Sequence, residues 1–350
     1  MANENEQMER FAHGGDTYGL NGVVDFSASL NPLGMPIGSI TALVQGVKDF
    51  GAYPDPHNRA LLEALSEFED VPADQIAITA GGTDMFWRIV QVLSPKRVLV
   101  CDPCFSGYEE SLGEGVEVVH HALVRDNKFD VTEALADDVV EGIDIVYLCT
   151  PNNPTGRALS RDVLVTVLER AKAQGAYVVL DECFADLAEL ASAKDLREQY
   201  PQLIIVKAFT KTYAMAGLRV GYGICADVDL VARLRDAGMP WVVSTPAQIA
   251  ALEALKDKKF ISRSQRTVRE QRDYLYDELL KMRMKAIKSD ANFILFESPV
   301  PLYDALLEKG FLIRRCENFN GLDGYWYRIG VKGWNQNEAL VKALEEVLDR

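Results

Sequence analysis

The chain has 350 residues, 48% hydrophobic and 9% aromatic, with 37 lysines and arginines against 52 aspartates and glutamates, a formal net charge of −15. That is enough chain for a substantial core. Its acidic balance repels nucleic-acid backbones and anionic lipid surfaces, and no lysine or arginine run supplies a local basic patch, so neither kind of partner is expected. In chain order, the opening MANENEQMER lacks the basic and apolar segments of a secretory signal, and a cytoplasmic protein is expected. A helix is predicted near 38–50 and another over RALLEALSEF from Arg59. Short β-rich runs follow at 76–79, 97–101, 116–120, 143–149, 176–181, 203–209 and 219–225, interleaved with helical patterns such as MFWRIVQVL, RDVLVTVLERA and VDLVARLRDA. Nearly continuous apolar strands separated by helices predict an α/β architecture, a mainly parallel sheet covered on both faces.

The longest uncharged stretch, Ala237 to Leu252, contains Pro240, Ser244, Thr245, Pro246 and Gln248, and it is shorter than the roughly 20 apolar residues of a spanning helix. Beyond it the pattern changes to a long charged helix over about 247–288, then strands at 292–296, 311–314 and 325–331, then a terminal helix from near Asn335. The expected organisation is an N-terminal arm with part of a small domain (1–50), a large domain (51–246) and a small α+β domain (247–350). The cysteines Cys101, Cys104, Cys149, Cys183, Cys225 and Cys316 lie mostly within apolar runs and read as buried thiols. Cys101 and Cys104 form a single CxxC, and with no second one and four histidines in the chain no metal site is expected.

In a parallel sheet, ligands gather at the carboxyl ends of the strands. After 76–79 come Gly81, Gly82, Thr83 and Asp84, small residues at a helix start where free N–H groups can face a phosphate. TPNNPTG (150–156) follows the fourth run, Asp181-Glu182 end the fifth, and Thr210-Lys211 follow the sixth. A lysine there, desolvated and near other cations, has the lowered pKa that a Schiff-base lysine requires.

TPNNPTG, a strand ending in Asp-Glu, and Thr-Lys followed by Arg219 together resemble the fold-type I pyridoxal-phosphate enzymes of the class I/II aminotransferase group, over nearly the whole chain. The resemblance implies that Lys211 carries pyridoxal 5′-phosphate and that Asp181 partners its ring nitrogen, the two catalytic residues. It further implies that Asn153 bonds the ring hydroxyl, that Phe105 stacks on the ring, and that Gly82, Thr83, Asp84, Thr210 and Arg219 hold the phosphate. Tyr53 in YPDP would reach the cofactor of a second subunit, so a homodimer is expected, and Arg328 would grip the substrate carboxylate. Cys183-Phe184 stand where many members carry Ala-Tyr, and Ala208 stands where many carry Ser, departures that bear on cofactor affinity.

Within that family, HGGD (13–16), DFSASLNPLGMP (25–36) and LIRRCENFNGLDGYWYRIGV (312–331) are similar to the threonine-phosphate decarboxylases. This implies a small phosphorylated amino acid as substrate, carbon dioxide and aminopropanol phosphate as products, and a place in cobalamin biosynthesis. It also implies a substrate site made of His13, Gly14, Gly15, Asn31, Asn153, Arg314 and Arg328. The histidinol-phosphate aminotransferases share the cofactor residues and are the alternative. Serine phosphate is not separated from threonine phosphate, because one methyl group is worth only about 1–3 kcal/mol in a pocket. A non-catalytic homologue is the remote third possibility.

Overall fold

The computed structural model describes residues 13–348, so the opening MANENEQMER and the first twelve residues of the expected arm lie outside the described residues. The strands are β1 (Val24–Asp25), β2 (Ile76–Thr79), β3 (Arg97–Asp102), β4 (Glu117–Ala122), β5 (Ile145–Cys149), β6 (Tyr177–Asp181), β7 (Leu203–Ala208), β8 (Gly221–Ile224), β9 (Lys285–Ala286), β10 (Phe293–Glu297), β11 (Phe311–Leu312), β12 (Arg314–Arg315) and β13 (Trp326–Gly330). Seven of them form one sheet in the order β2-β8-β7-β6-β5-β3-β4. Only β8 runs antiparallel to its neighbours there.

Because successive strand side chains point to opposite faces, a strand buried on both sides must be apolar at every position. The central strands meet that demand except at Asp181 and Lys207. Val146, Leu148, Leu180 and Ile205 join one core cluster, while Ile145, Tyr147, Val179, Ile204 and Val206 join another across the sheet. The helix Arg161–Gln174 shows how connections are bounded: the Ser160 hydroxyl accepts from the Val163 N–H at its start, and Gly175 at φ 71° ends it. No described helix is long and apolar enough to cross a membrane.

A second sheet, β12-β13-β10-β9, is antiparallel and packs on a separate core containing Leu275, Leu279, Ile294, Phe296, Tyr327 and Leu340. The N-terminal segment belongs to this side: β1 pairs with β11, Phe26 sits in that core, and the Gly330 N–H donates to the Phe26 carbonyl at 2.7 Å.

Two predicted elements differ. The long helix expected over 247–288 is two helices, Thr245–Lys256 and Phe260–Lys281, separated by a turn in which the Asp257 carboxylate accepts from the Lys259 N–H. The strand expected at 311–314 divides because Phe311-Leu312 pair with β1 while Arg314-Arg315 pair with β13. The helix Ile37–Gly46 packs on Thr245–Lys256, whose alanines join the core under the large sheet, so a domain division proposed from packing falls inside Phe260–Lys281 rather than at 246.

Candidate active site

Every parallel strand of the large sheet points its carboxyl end at one edge, and the antiparallel β8 begins there. The loops after β2, β3, β5, β6 and β7 therefore converge with Arg219, which precedes β8, around a cavity of about 340 Å³. Its walls include Gly82, Thr83, Phe105, Asn153, Asp181, Thr210, Lys211 and Arg219 from the large sheet, Arg314 and Arg328 from the second sheet, and His13 and Gly14 from the N-terminal segment.

Lys211 sits in the single helical turn Phe209–Thr212 directly after β7. Among the described residues its Nζ has no hydrogen bond or ion pair, and it lies 5.5 Å from the centre of the Phe184 ring. Desolvation, with Arg328 and Arg219 adding repulsion against the weaker pull of Cys183 and Asp181, brings its pKa down to about 8. Asp181 is buried at the end of β6. Its two oxygens accept from the Cys183 N–H at 2.9 Å and the Tyr108 hydroxyl at 2.8 Å. Burial raises its pKa, and those hydrogen bonds together with Lys211 oppose the rise without cancelling it.

Arg328 on β13 is buried, donates to the Asn153 side-chain oxygen and, at 2.9 Å, to the Ser27 carbonyl, and leaves its Nε without a partner. Burial lowers its pKa to about 10. Directly opposite it across the antiparallel pair stands Arg314, whose guanidinium donates to Asn318 at 2.7 Å and lies 5.3 Å from the Phe319 ring centre. Like charges facing each other across strands are destabilising by themselves, so this pair calls for anionic company.

At the other side of the cavity the helix Gly82–Leu93 begins with free N–H groups at a left-handed Gly81 (φ 94°), against which the Arg219 guanidinium rests so closely that a Cβ on Gly81 would fall 2.7 Å from it. The donor set tests well against pyridoxal phosphate. A helix start, two threonine hydroxyls and an arginine suit a phosphate, a buried carboxylate with raised pKa suits a protonated ring nitrogen, and an unpaired lysine suits an aldehyde.

Three expected residues are placed otherwise. Asp84 accepts from the Ala80 N–H and pairs with Arg88 at 2.7 Å, which makes it a cap of its own helix rather than a cavity group. Gly15 is outside the wall, its N–H given to the Ser27 hydroxyl. Asn31 is turned inward, donating to the Thr212 carbonyl and the Ser264 hydroxyl at 2.7 Å each and accepting from the Leu33 N–H. It steadies the Lys211 turn, whose carbonyl its backbone also holds at 3.1 Å, and has no atom left for a phosphate. Tyr53, expected at the cofactor of a second subunit, is 82% exposed and tilted against Trp241 4.9 Å away, beside a second cavity that shares no lining residue with the first. His13 reaches the mouth of the site but its Nε2 is engaged with Glu110 at 3.1 Å. The sequence reading missed Tyr108, Ser27, Asn318 and Phe319. Tyr108 carried a signal, standing one helical turn after Phe105 in the same loop, whereas the others depend on contacts between distant segments.

Residues 22–344 match the family model described as aminotransferase class I and II. The threonine-phosphate decarboxylase of Salmonella typhimurium is 32% identical, with 93% of this chain and 91% of that protein covered. The histidinol-phosphate aminotransferase of Symbiobacterium thermophilum is 33% identical, with 94% and 92% covered. Among solved structures, the histidinol-phosphate aminotransferase from Clostridium acetobutylicum aligns with a TM-score of 0.86 at 28% identity, covering 93% of this chain and 98% of that one.

Proposed function

The chain belongs to the aminotransferase class I and II family, and we propose that it is a pyridoxal-phosphate enzyme that removes the carboxylate of a short O-phosphorylated amino acid, threonine phosphate or serine phosphate. The observation that carries this reading is the facing pair Arg314 and Arg328 on β12 and β13, inside the cavity that holds Lys211. Two arginines directly opposite each other on neighbouring strands and lining one cavity suit a substrate with a phosphate on the side chain and a carboxylate on Cα.

Pyridoxal phosphate, when bound, supplies a ring that accepts the electrons of a bond broken at the carbon bearing the amine. The chain's own residues supply the rest. Lys211, uncompensated and lowered to about 8, is a nucleophile near neutral pH and afterwards a proton carrier beside the reacting carbon. Asp181, fixed by Tyr108 and Cys183, holds a proton at the ring nitrogen. Arg328 is aimed by Asn153 and Ser27, and Phe105, Phe184 and Phe319 keep water from the cavity.

The alternative, histidinol-phosphate amino transfer, rests on relatives of equal identity and on the structural match. A product assay with threonine phosphate, serine phosphate, and histidinol phosphate plus 2-oxoglutarate separates the two. Carbon dioxide and a phosphorylated amine, formed without any keto acid, are expected. Amino transfer from histidinol phosphate to 2-oxoglutarate, with glutamate formed and no carbon dioxide released, would overturn the proposal. The homodimer is likewise proposed, on the exposed Tyr53, Met239 and Trp241, and sedimentation of a fully active monomer would refute it.

A further inference from the structure

Asp102 ends β3 at the edge where the site loops emerge, and its buried carboxylate is not used by the chemistry above. It accepts from three directions: the His120 Nδ1 on β4 at 2.6 Å, the Cys104 thiol at 3.4 Å, and the Asn320 side-chain amide at 2.9 Å. Asn320 belongs to the loop joining β12 to β13, in the second sheet. Three consecutive residues of that loop have distinct contacts: Asn318 holds the Arg314 guanidinium, Phe319 lies against it and walls the cavity, and Asn320 reaches the large sheet.

We propose that Asp102 and Asn320 form a latch that docks the 318–320 loop on the large sheet and so positions Arg314 for the substrate's distal phosphate, making Asp102 a positioning residue for selectivity. The inference rests on the reading that Arg314 receives a phosphate. Arg314 faces Arg328 across the strand pair, so electrostatics between the two would push its guanidinium away, and Asn318 and Phe319 are among the groups that hold it. The loop that carries them is seated by Phe319 and Leu322 in the core under the large sheet, and Asn320 adds its polar tie to the end of β3. Ligating atoms of Asp102, Glu109 and His120 do lie within 4.8 Å of one another, but both Asp102 oxygens are already engaged by protein donors, which favours a docking role over a cation site.

The test uses the holoenzyme and two readouts, amide hydrogen exchange over 316–325 and affinity for threonine phosphate against L-threonine, followed by cofactor absorbance. Asn320→Ala is expected to speed exchange in the loop and to weaken threonine phosphate about tenfold, the size of one lost charge-assisted hydrogen bond, with L-threonine changed less than about twofold. Asn320→Asp, which sets two carboxylates together, should do the same or more. The exchanged pair Asp102→Asn with Asn320→Asp should restore both readouts, because donor and acceptor are reversed at that contact and the other tautomer of His120 accepts the second amide hydrogen. Wild-type exchange in Asn320→Ala would overturn the latch, and faster exchange with an unchanged affinity ratio would overturn its coupling to phosphate. A wild-type protein that does not prefer threonine phosphate would instead remove the functional reading, while the exchange data would still decide whether the loop is latched.

Discussion

Lys207 lies inside β7 and Lys211 in the turn after it, four positions along the chain, yet their surroundings are opposite in sign. The Lys207 Nζ is 3.0 Å from both Glu69 and Asp186, and Glu69 is further met by Lys194 at 2.8 Å and by the Tyr222 hydroxyl. Burial by itself would lower the pKa of Lys207, but these carboxylates raise it well above the ordinary value. For Lys211 burial acts in the same direction, and Arg328 and Arg219 reinforce it against the weaker opposing pull of Cys183 and Asp181. A buried charge that is fully compensated holds a fold together, whereas one left uncompensated is poised for a ligand that brings the missing charge or bond.

Replacing each lysine breaks this comparison most severely. Lys211→Ala is expected to abolish the cofactor's visible absorption at the protein and to lower turnover by about 10⁴-fold or more, since nucleophile and proton carrier are lost together. Persistence of that absorption, or a reduced cofactor label on another lysine, would sink the assignment. Lys207→Met should retain the absorption but destabilise the protein by about 3 kcal/mol in denaturant unfolding, because Glu69 and Asp186 lose the buried cation between them, Glu69 keeping Lys194 and the Tyr222 hydroxyl. An unaltered midpoint would show that the cluster is not the internal brace described here.

The two clusters should also respond at opposite ends of the pH scale in the cofactor-free protein. Burial alone would raise the pKa of Glu69, but Lys207, Lys194 and Tyr222 hold it at about 2, below its ordinary 4.5. Its stabilisation of about 3 kcal/mol is therefore complete above pH 4.5 and lost as pH falls toward 2. Lys211, lowered from 10.5 to about 8, is charged in both folded and unfolded chains below pH 8, where the fold bears the cost of about 3 kcal/mol. That cost is relieved as pH rises from 8 to 10.5, where the unfolded chain binds the extra proton. Lys211→Met should accordingly stabilise the cofactor-free protein at pH 7 and flatten the alkaline rise, whereas Glu69→Gln should flatten the acid fall. Melting temperatures across the pH range decide both.

Much of this contrast was legible before any coordinates. Lys211 and Asp181 follow apolar strands, and a strand end in a parallel sheet is where ligands meet the chain, so their placement needed only the period of the sequence. Lys207 was invisible as a partner because Glu69 and Asp186 approach it from two separate segments, and Lys194 meets Glu69 from a third. Asn31 misled for a related reason: its motif suggests a ligand, but both ends of its amide are consumed by backbone and Ser264. Spacing along a chain reports which face a residue occupies and says little about which distant group it meets. The division of residues 311–314 between two sheets is of the same kind, since four apolar and basic residues in a row carry no mark of where one set of partners ends.

The smallest change sharpens the comparison within the cavity. Tyr108 is buried, stacked on Tyr147 with ring centres 5.0 Å apart and edge-on to Phe86 and Phe105, so Tyr108→Phe keeps the packing and deletes one hydrogen bond, that to Asp181. Burial already raises the pKa of Asp181, and the hydroxyl of Tyr108 is one of the groups opposing that rise. Without it the carboxylate must become harder to ionise, leaving the Cys183 N–H as the hydrogen bond still given to it. A single charge-assisted hydrogen bond is worth about 1.5–3 kcal/mol, so kcat/KM should fall by about 10- to 150-fold. The sign of the pH effect follows as well. Activity needs the ionised form, so the acid side of the pH–rate profile should move to higher pH in the variant. A role confined to packing would leave that side where it is, and an unmoved profile would assign Tyr108 to the core rather than to the site.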